Sequence, residues 1–306
     1  MNHKPFKTIN EQIELLEKEK KLLIDNEDYA KYCLLNLNYY RLSGYSLTMR
    51  KGDSFYKGSK FSDIMQIYNF DKELRLFILK YLEDIEISLR THIAYELGKQ
   101  DIDPDGQISY LNEDNFISKK HYEEFMSDMP SEISKSNQEA FVKHHRRKYK
   151  GLLPAWVMVE TLSFGKASTL FSSLNTAIKK QICETYYHGI RYTAVENLLE
   201  GLVVLRNLCA HHARIYNRGI TIKPDFAKWE IDYLSDQGYD RGQIGSKLFF
   251  RLLVIVRLSP DKSIVNIIIS DIRTLQSKYP YVDLKHYGFR KNWEEILRSM
   301  NEKYQQ

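Results

Sequence analysis

The feature that most constrains the fold is a proline-free run over residues 61–97. Its apolar residues recur at intervals of three and four: Ile64, Ile67, Tyr68, Leu74, Phe77, Ile78, Tyr81, Leu82, Ile85, Leu89, Ile93 and Leu97. That period is the 3.6-residue turn of an α-helix and not the alternation of a strand. So long a helix carries an apolar stripe that it cannot bury by itself, so other elements must wrap it. The remaining periodicity supplies them, predicting helices over 8–25, 28–40, 118–134, 138–149, 154–174, 177–187, 192–215, 246–258, 263–278 and 291–303. Thr8 and Glu11 fit a capping box at the first of these, Ser43 and Gly44 stop the second, and Gly165 is a weak point in the fifth. Residues 49–62 read as a loop or small hairpin, 101–115 as a connection and 219–242 as an irregular segment that covers part of a site. With no βαβ alternation, glycine-rich phosphate loop or internal repeat, the fold class is all-α, a helical bundle in a single domain over 1–306.

The bulk properties narrow the setting. A net charge of +5 is compatible with a polyanionic partner, although so modest a sum is common and a local patch matters more. Cys33, Cys183 and Cys209 are odd in number and far apart, which argues against a disulfide framework and for a reducing cytoplasm. The first twenty residues turn polar at once and lack the apolar stretch of a secretory signal. The most apolar run, 247–258 with 264–269 beyond, is broken by Arg251, Arg257, Pro260, Asp261 and Lys262, so no membrane is expected as a partner. No metal-ligand spacing or cofactor motif is visible, and the adjacent His144 and His145 diverge along a helix.

Function concentrates in residues 202–218, LVVLRNLCAHHARIYNR, which begin as an apolar helical run and end in cations, imidazoles and amides. Arg206 and His211 stand in an R-x-x-x-x-H spacing that occurs once in the chain. Histidine suits proton transfer because its ordinary pKa is near 6.5, and arginine suits a phosphate because its planar fork stays charged. Asn207 could position either group. The bland alternative is a buried or capping histidine beside a surface salt bridge. On an ideal helix Arg206 and His211 lie about 140° apart and about 7.5 Å along the axis, so they do not share a face. A local distortion, or a homodimer with two facing motif helices, would bring them together. His212 and Arg214 are second-tier candidates, while Tyr216, Asn217 and Arg218 hold the helix end or touch phosphate. On the long helix Glu86, Arg90 and His92 form a polar group; Glu86 and Arg90 either stabilise the helix as a pair or orient an active-site cation. The run 143–150, with Arg146, Arg147 and Lys148, is either a solvated face or a phosphate-contacting patch. Tyr39, Tyr40 and Tyr45 are expected to pack rather than stack on bases.

The longer strings carry a resemblance. Arg206, Asn207 and His211 resemble the R-N-x-x-x-H site of the HEPN superfamily. More closely, RNLCAHHARIYNR, the NYYRLSGY of residues 38–45 and the I-E-x-x-L-R pattern of residues 85–90 resemble the signatures of Abi-like abortive-infection proteins of the AbiD/AbiF type. The resemblance covers most of the chain. It implies a HEPN-like core over 61–218, an N-terminal helical extension over 1–60 and C-terminal helices over 219–306. It also implies a metal-independent endoribonuclease that acts as a toxin or phage-defence effector, with RNA as substrate, a small noncoding RNA as its control and a composite site in a homodimer. Two other readings stand beside it. One is a non-catalytic RNA-binding or scaffold protein of a defence or toxin–antitoxin system. The other is a HEPN protein that is the antitoxin or substrate of a nucleotide-transferring partner.

Overall fold

The computed structural model describes residues 5–99 and 108–305, so residues 101–107 of the expected connection lie outside the described residues. In chain order the helices are α1 (Ile9–Glu14), α2 (Glu27–Leu37), α3 (Tyr39–Tyr45), α4 (Phe61–Gly98), α5 (Lys119–Lys135), α6 (Ala140–Lys148) and α7 (Ala155–Met158), followed by α8 (Phe164–Ser173), α9 (Thr176–Tyr186), α10 (Tyr192–Ala210), α11 (Lys228–Asp236), α12 (Leu248–Leu258), α13 (Ile264–Lys278) and α14 (Trp293–Tyr304). Strands β1 (Arg50–Lys51) and β2 (Ser54–Phe55) pair antiparallel, with Arg50 opposite Phe55, as the small hairpin. The fold is all-α, and among the described residues no helix is long and apolar enough to cross a membrane.

The long helix α4 is the spine. Its buried stripe includes Ile64, Ile67, Phe70, Leu74, Ile78, Leu82, Ile85, Leu89, Ile93 and Leu97, and α3, α7, α8, α9, α10, α12 and α13 all pack against it. Each such side chain contributes roughly 1.5–3 kcal/mol by leaving water, which offsets the entropy of ordering the wrapped helices. Helix α10 lies in the same core, against α4, α8, α9 and α12. Helix α12 is buried nearly all round, as a helix without a polar face must be.

A fully buried carboxylate interrupts the α4 stripe. Asp71 is fully buried and accepts from five donors: Arg75 one turn on, the Tyr45 hydroxyl at 2.9 Å, the Tyr287 hydroxyl at 3.0 Å, and the backbone amides of Ile215 at 3.2 Å and Tyr216 at 2.8 Å. It thereby joins the N-terminal segment, the spine, the chain beyond α10 and the C-terminal region. Burial pushes the Asp71 carboxyl up from its ordinary value, and the Arg75 guanidinium and the donated hydrogen bonds oppose this. Another buried acid, Glu230 of α11, accepts from Arg257 of α12 at 2.7 Å and Tyr304 of α14 at 2.8 Å, tying the C-terminal helices together.

Several boundaries differ from the periodicity. The expected helix 8–25 keeps its Thr8–Glu11 capping box but loosens into a π-turn over Leu15–Glu19 and breaks at Lys21, whose φ is +62°, as the chain turns to bury Leu22. The expected helix 28–40 stops at Leu37. Asn38 takes φ +61° and caps a new helix α3 through its side chain, so Ser43 and Gly44 lie inside a helix rather than ending one. The expected helix 154–174 is split by an extended Leu162 and by Ser163, which caps α8, and Trp156 is exposed rather than core. The segment 219–242 contains α11, a nine-residue helix too short to announce itself by period.

Replacing Asp71 with Asn leaves Arg75 as a buried charge without its partner, and we expect a loss of about 3–5 kcal/mol in urea unfolding. Tyr287→Phe leaves the carboxylate four donors and should cost only about 1 kcal/mol. Equal effects would mean that the carboxylate charge is not what holds the cluster.

Candidate functional site

The motif helix ends earlier than its apolar period suggests. Helix α10 stops at Ala210; His211 is its C-cap and His212 adopts φ +57°. The amide of Ala213 donates to the Leu208 carbonyl at 2.9 Å and that of His212 to the Cys209 carbonyl at 3.1 Å, the paired bonds of a Schellman ending. Glycine usually fills the left-handed position, and a histidine there costs roughly 1–2 kcal/mol. Surrounding contacts offset that cost. Arg41 of α3 donates to the His212 carbonyl at 2.8 Å, Arg75 reaches the Ala213 carbonyl at 3.4 Å, and Asp71 takes the next two amides but one. Both imidazoles are left exposed, and among the described residues no hydrogen bond engages either.

One turn earlier, Arg206 lies half-buried over α4. Its guanidinium sits 3.6 Å from Glu86 Oε2 and donates to Asn207 Oδ1 at 3.2 Å. The other Glu86 oxygen accepts from Arg90, so one carboxylate bridges two arginines. Leu79, Leu82, Glu83, Glu86, Ile87, Arg90 and Arg206 line an open groove there. At 3.6 Å, outside hydrogen-bond distance, the Glu86 pairing orients Arg206 more than it stabilises the fold. The structure therefore brings Arg206, Asn207, Glu86 and Arg90 together. His211 lies at the helix end instead, with an ordinary cap geometry of φ −90° and ψ 16°.

The two sequence signatures meet in space. The α3 helix of NYYRLSGY supplies Arg41 to the His212 turn and Tyr45 to Asp71, and Gly44 faces the Arg214 guanidinium so closely that a Cβ would lie 3.2 Å from Nε. Arg214 also donates to the Tyr216 carbonyl, while Tyr216 is buried, with its hydroxyl 2.6 Å from Thr48 Oγ1. Asn217 takes φ +49° and accepts from Lys247 at 3.2 Å; Arg218 is exposed. Tyr45 packs as expected, but Tyr40 is 68% exposed. His92 does not join Glu86 and Arg90. It stacks on Tyr186 with ring centroids 3.9 Å apart and reaches the Tyr187 hydroxyl, and burial lowers its pKa to about 4. The basic run with Arg146, Arg147 and Lys148 is exposed on α6. The chain just after it packs at the far end of α4, where Trp156 meets Gly98, about 35 Å along the helix from Arg75.

Sequence reasoning missed Asp71, Arg75, Arg41 and Lys247. The signal for the first two was present, since an Asp and an Arg four apart interrupt the buried stripe of α4. Arg41 stood inside the signature of residues 38–45 without being singled out, and nothing local marked Lys247. Among the described residues no three His, Cys, Asp or Glu side chains converge in a way that could hold a metal ion. All three thiols are buried and free, and burial raises those of Cys183 and Cys209 to about 12, which leaves them unreactive.

A family model described as Abi-like protein matches residues 32–217, from α2 to the turn at Asn217. No curated protein and no solved structure matches the chain.

The position of His92 has a consequence for pH. Its folded pKa lies below its unfolded value, so between about pH 4 and 6.5 the unfolded chain binds the extra proton and stability falls as pH falls. We expect the thermal midpoint to drop from pH 7 to pH 5, and His92→Phe to flatten part of that dependence. An identical profile for the variant would place the titrating group elsewhere.

Proposed function

The chain belongs to the Abi-like protein family, a membership that points to abortive infection and phage defence, and on that premise we propose that it is a metal-independent endoribonuclease of HEPN type. In this reading it acts as a toxin-like effector whose activity a small noncoding RNA controls. The observation that carries the reading is the presence of two unlike groups, held apart by the fold, near one helix end. Arg206 is held over a groove by Glu86 and Asn207, and His211, on the last turn of α10, has an exposed imidazole that no fold contact uses.

The chemistry follows from those groups. An imidazole near neutrality takes the proton of a 2′-hydroxyl, and the 2′-oxygen then attacks phosphorus. The Arg206 fork donates to the phosphate oxygens as charge builds on them. The bond from phosphorus to the 5′-oxygen breaks, an imidazolium returns a proton to that oxygen, and the products are a 2′,3′-cyclic phosphate and a 5′-hydroxyl. One chain supplies one such imidazole and one such arginine and does not bring them together. A homodimer supplies both an acid and a base. Ile87, 48% exposed on α4, lines the Arg206 groove and gives a second copy apolar surface to cover.

His211→Ala should lower cleavage about 100- to 10,000-fold while leaving folding and RNA binding nearly intact, because it removes proton transfer and no phosphate-binding charge. Arg206→Ala should lose cleavage and part of the binding. Activity should survive EDTA. Cleavage that persists with both residues replaced, or that needs added magnesium, would refute this assignment; binding without cleavage by the unmodified protein would favour the RNA-binding reading. Light scattering should show a dimer that Ile87→Glu dissociates with loss of cleavage, whereas a monomer at micromolar concentration with and without RNA would rule out the composite site.

A further inference from the structure

Three cations from separate parts of the chain make hydrogen bonds to residues 212–217. Arg41 comes from α3, Arg214 from the chain beyond α10, and Lys247 from the residue that precedes α12. Arg41 and Gly44 are three apart on α3 and so lie on one face, and Gly44 abuts the Arg214 guanidinium. Lys247 reaches Asn217 at 3.2 Å and is close enough to Arg214 that burial, together with that neighbouring charge, holds its ammonium below its ordinary value. Its stem is threaded past Gly288, where a Cβ would lie 2.6 Å from Lys247 Cβ, so its course is fixed by the fold.

Each of the three spends a donor on a neutral acceptor: the His212 carbonyl, the Tyr216 carbonyl and the Asn217 side chain. Among the described residues none has a carboxylate within ion-pair distance. Asp71 is saturated by its five donors, and Asp283, near enough to His286 to oppose the burial that lowers its pKa, is paired with Lys285 at 2.7 Å. Two half-buried like charges beside a third, with donors to spare and no carboxylate paired with them, are unfavourable alone and favourable around an anion.

We propose that Arg41, Arg214 and Lys247 form a phosphate subsite beside the His211–His212 turn, which takes a backbone phosphate of single-stranded RNA flanking the scissile one. The proposal rests on the ribonuclease reading above and gives the segments outside residues 61–218 a part in substrate binding. Tyr40, which adjoins Arg41 on α3 and is largely exposed, offers a ring for a neighbouring base, a contact that an unpaired strand can make and a stacked duplex cannot.

The test uses the full chain carrying His211→Ala, so that RNA is bound and not consumed, and a short labelled single-stranded RNA. Arg41→Gln and Lys247→Gln should each weaken binding about tenfold at low salt and reduce the slope of log affinity against log salt by about 0.7. Lys247→Arg should restore the slope, and thermal unfolding checks that each variant is folded. Folded variants with an unchanged slope would overturn the subsite. So would a loss of inorganic phosphate binding with RNA binding intact, since the site would then serve a free anion. If the parent protein bound no RNA at all, the ribonuclease reading itself would fail, an outcome distinct from a variant that matches its parent.

Discussion

A buried carboxylate with five donors is the interaction on which this structure depends. Asp71 sits where the apolar stripe of the spine would otherwise continue, and an isolated carboxylate there would be too costly to keep ionised. Its charge is tolerated because Arg75, two tyrosine hydroxyls and two backbone amides converge on it. That convergence fixes the relative positions of four regions far apart in sequence. Apolar packing could bury the same residues in many arrangements, whereas a carboxylate that needs these donors at these angles admits few.

The same cluster explains how the motif can present its histidines. A helix end is a place where backbone groups lack partners, and here a Schellman ending and the Arg41 contact satisfy them without using either imidazole. The left-handed backbone at His212 would be a liability in an isolated peptide. Beyond it, the amides of Ile215 and Tyr216 are anchored on Asp71, so the turn is over-determined from both sides. Rigid support from behind and free polar groups in front are what a site for an extended anion requires.

Distance in sequence hides this unit. The signature of residues 38–45 and that of residues 206–218 read as separate motifs, yet Arg41, Gly44 and Tyr45 of the first contact His212, Arg214 and the Asp71 cluster of the second. Gly44 is informative: its lack of a side chain serves the approach of Arg214 and not a helix stop. The matched family region, residues 32–217, spans the first signature, the helix between them and all but the last residue of the second, as a unit held by one carboxylate should.

The chain itself determined what depends on local period and residue chemistry. The spine over residues 61–97, the all-α class, the Thr8–Glu11 capping box, the Glu86–Arg90 pair and the cluster of polar residues beginning at Arg206 follow from spacing alone, because side-chain direction on a helix is set by sequence separation. Tertiary structure decided what depends on partners distant in the chain. It ended α10 at Ala210 rather than near Ile215, because Arg41, Arg75 and Asp71 stabilise a left-handed histidine that local propensity disfavours. It sent His92 into the core against Tyr186 and Tyr187, away from Glu86 and Arg90. It also placed Lys247 against Asn217, a contact across thirty residues that no periodicity encodes, because only the packing of α12 against the spine and α10 brings those two side chains within reach.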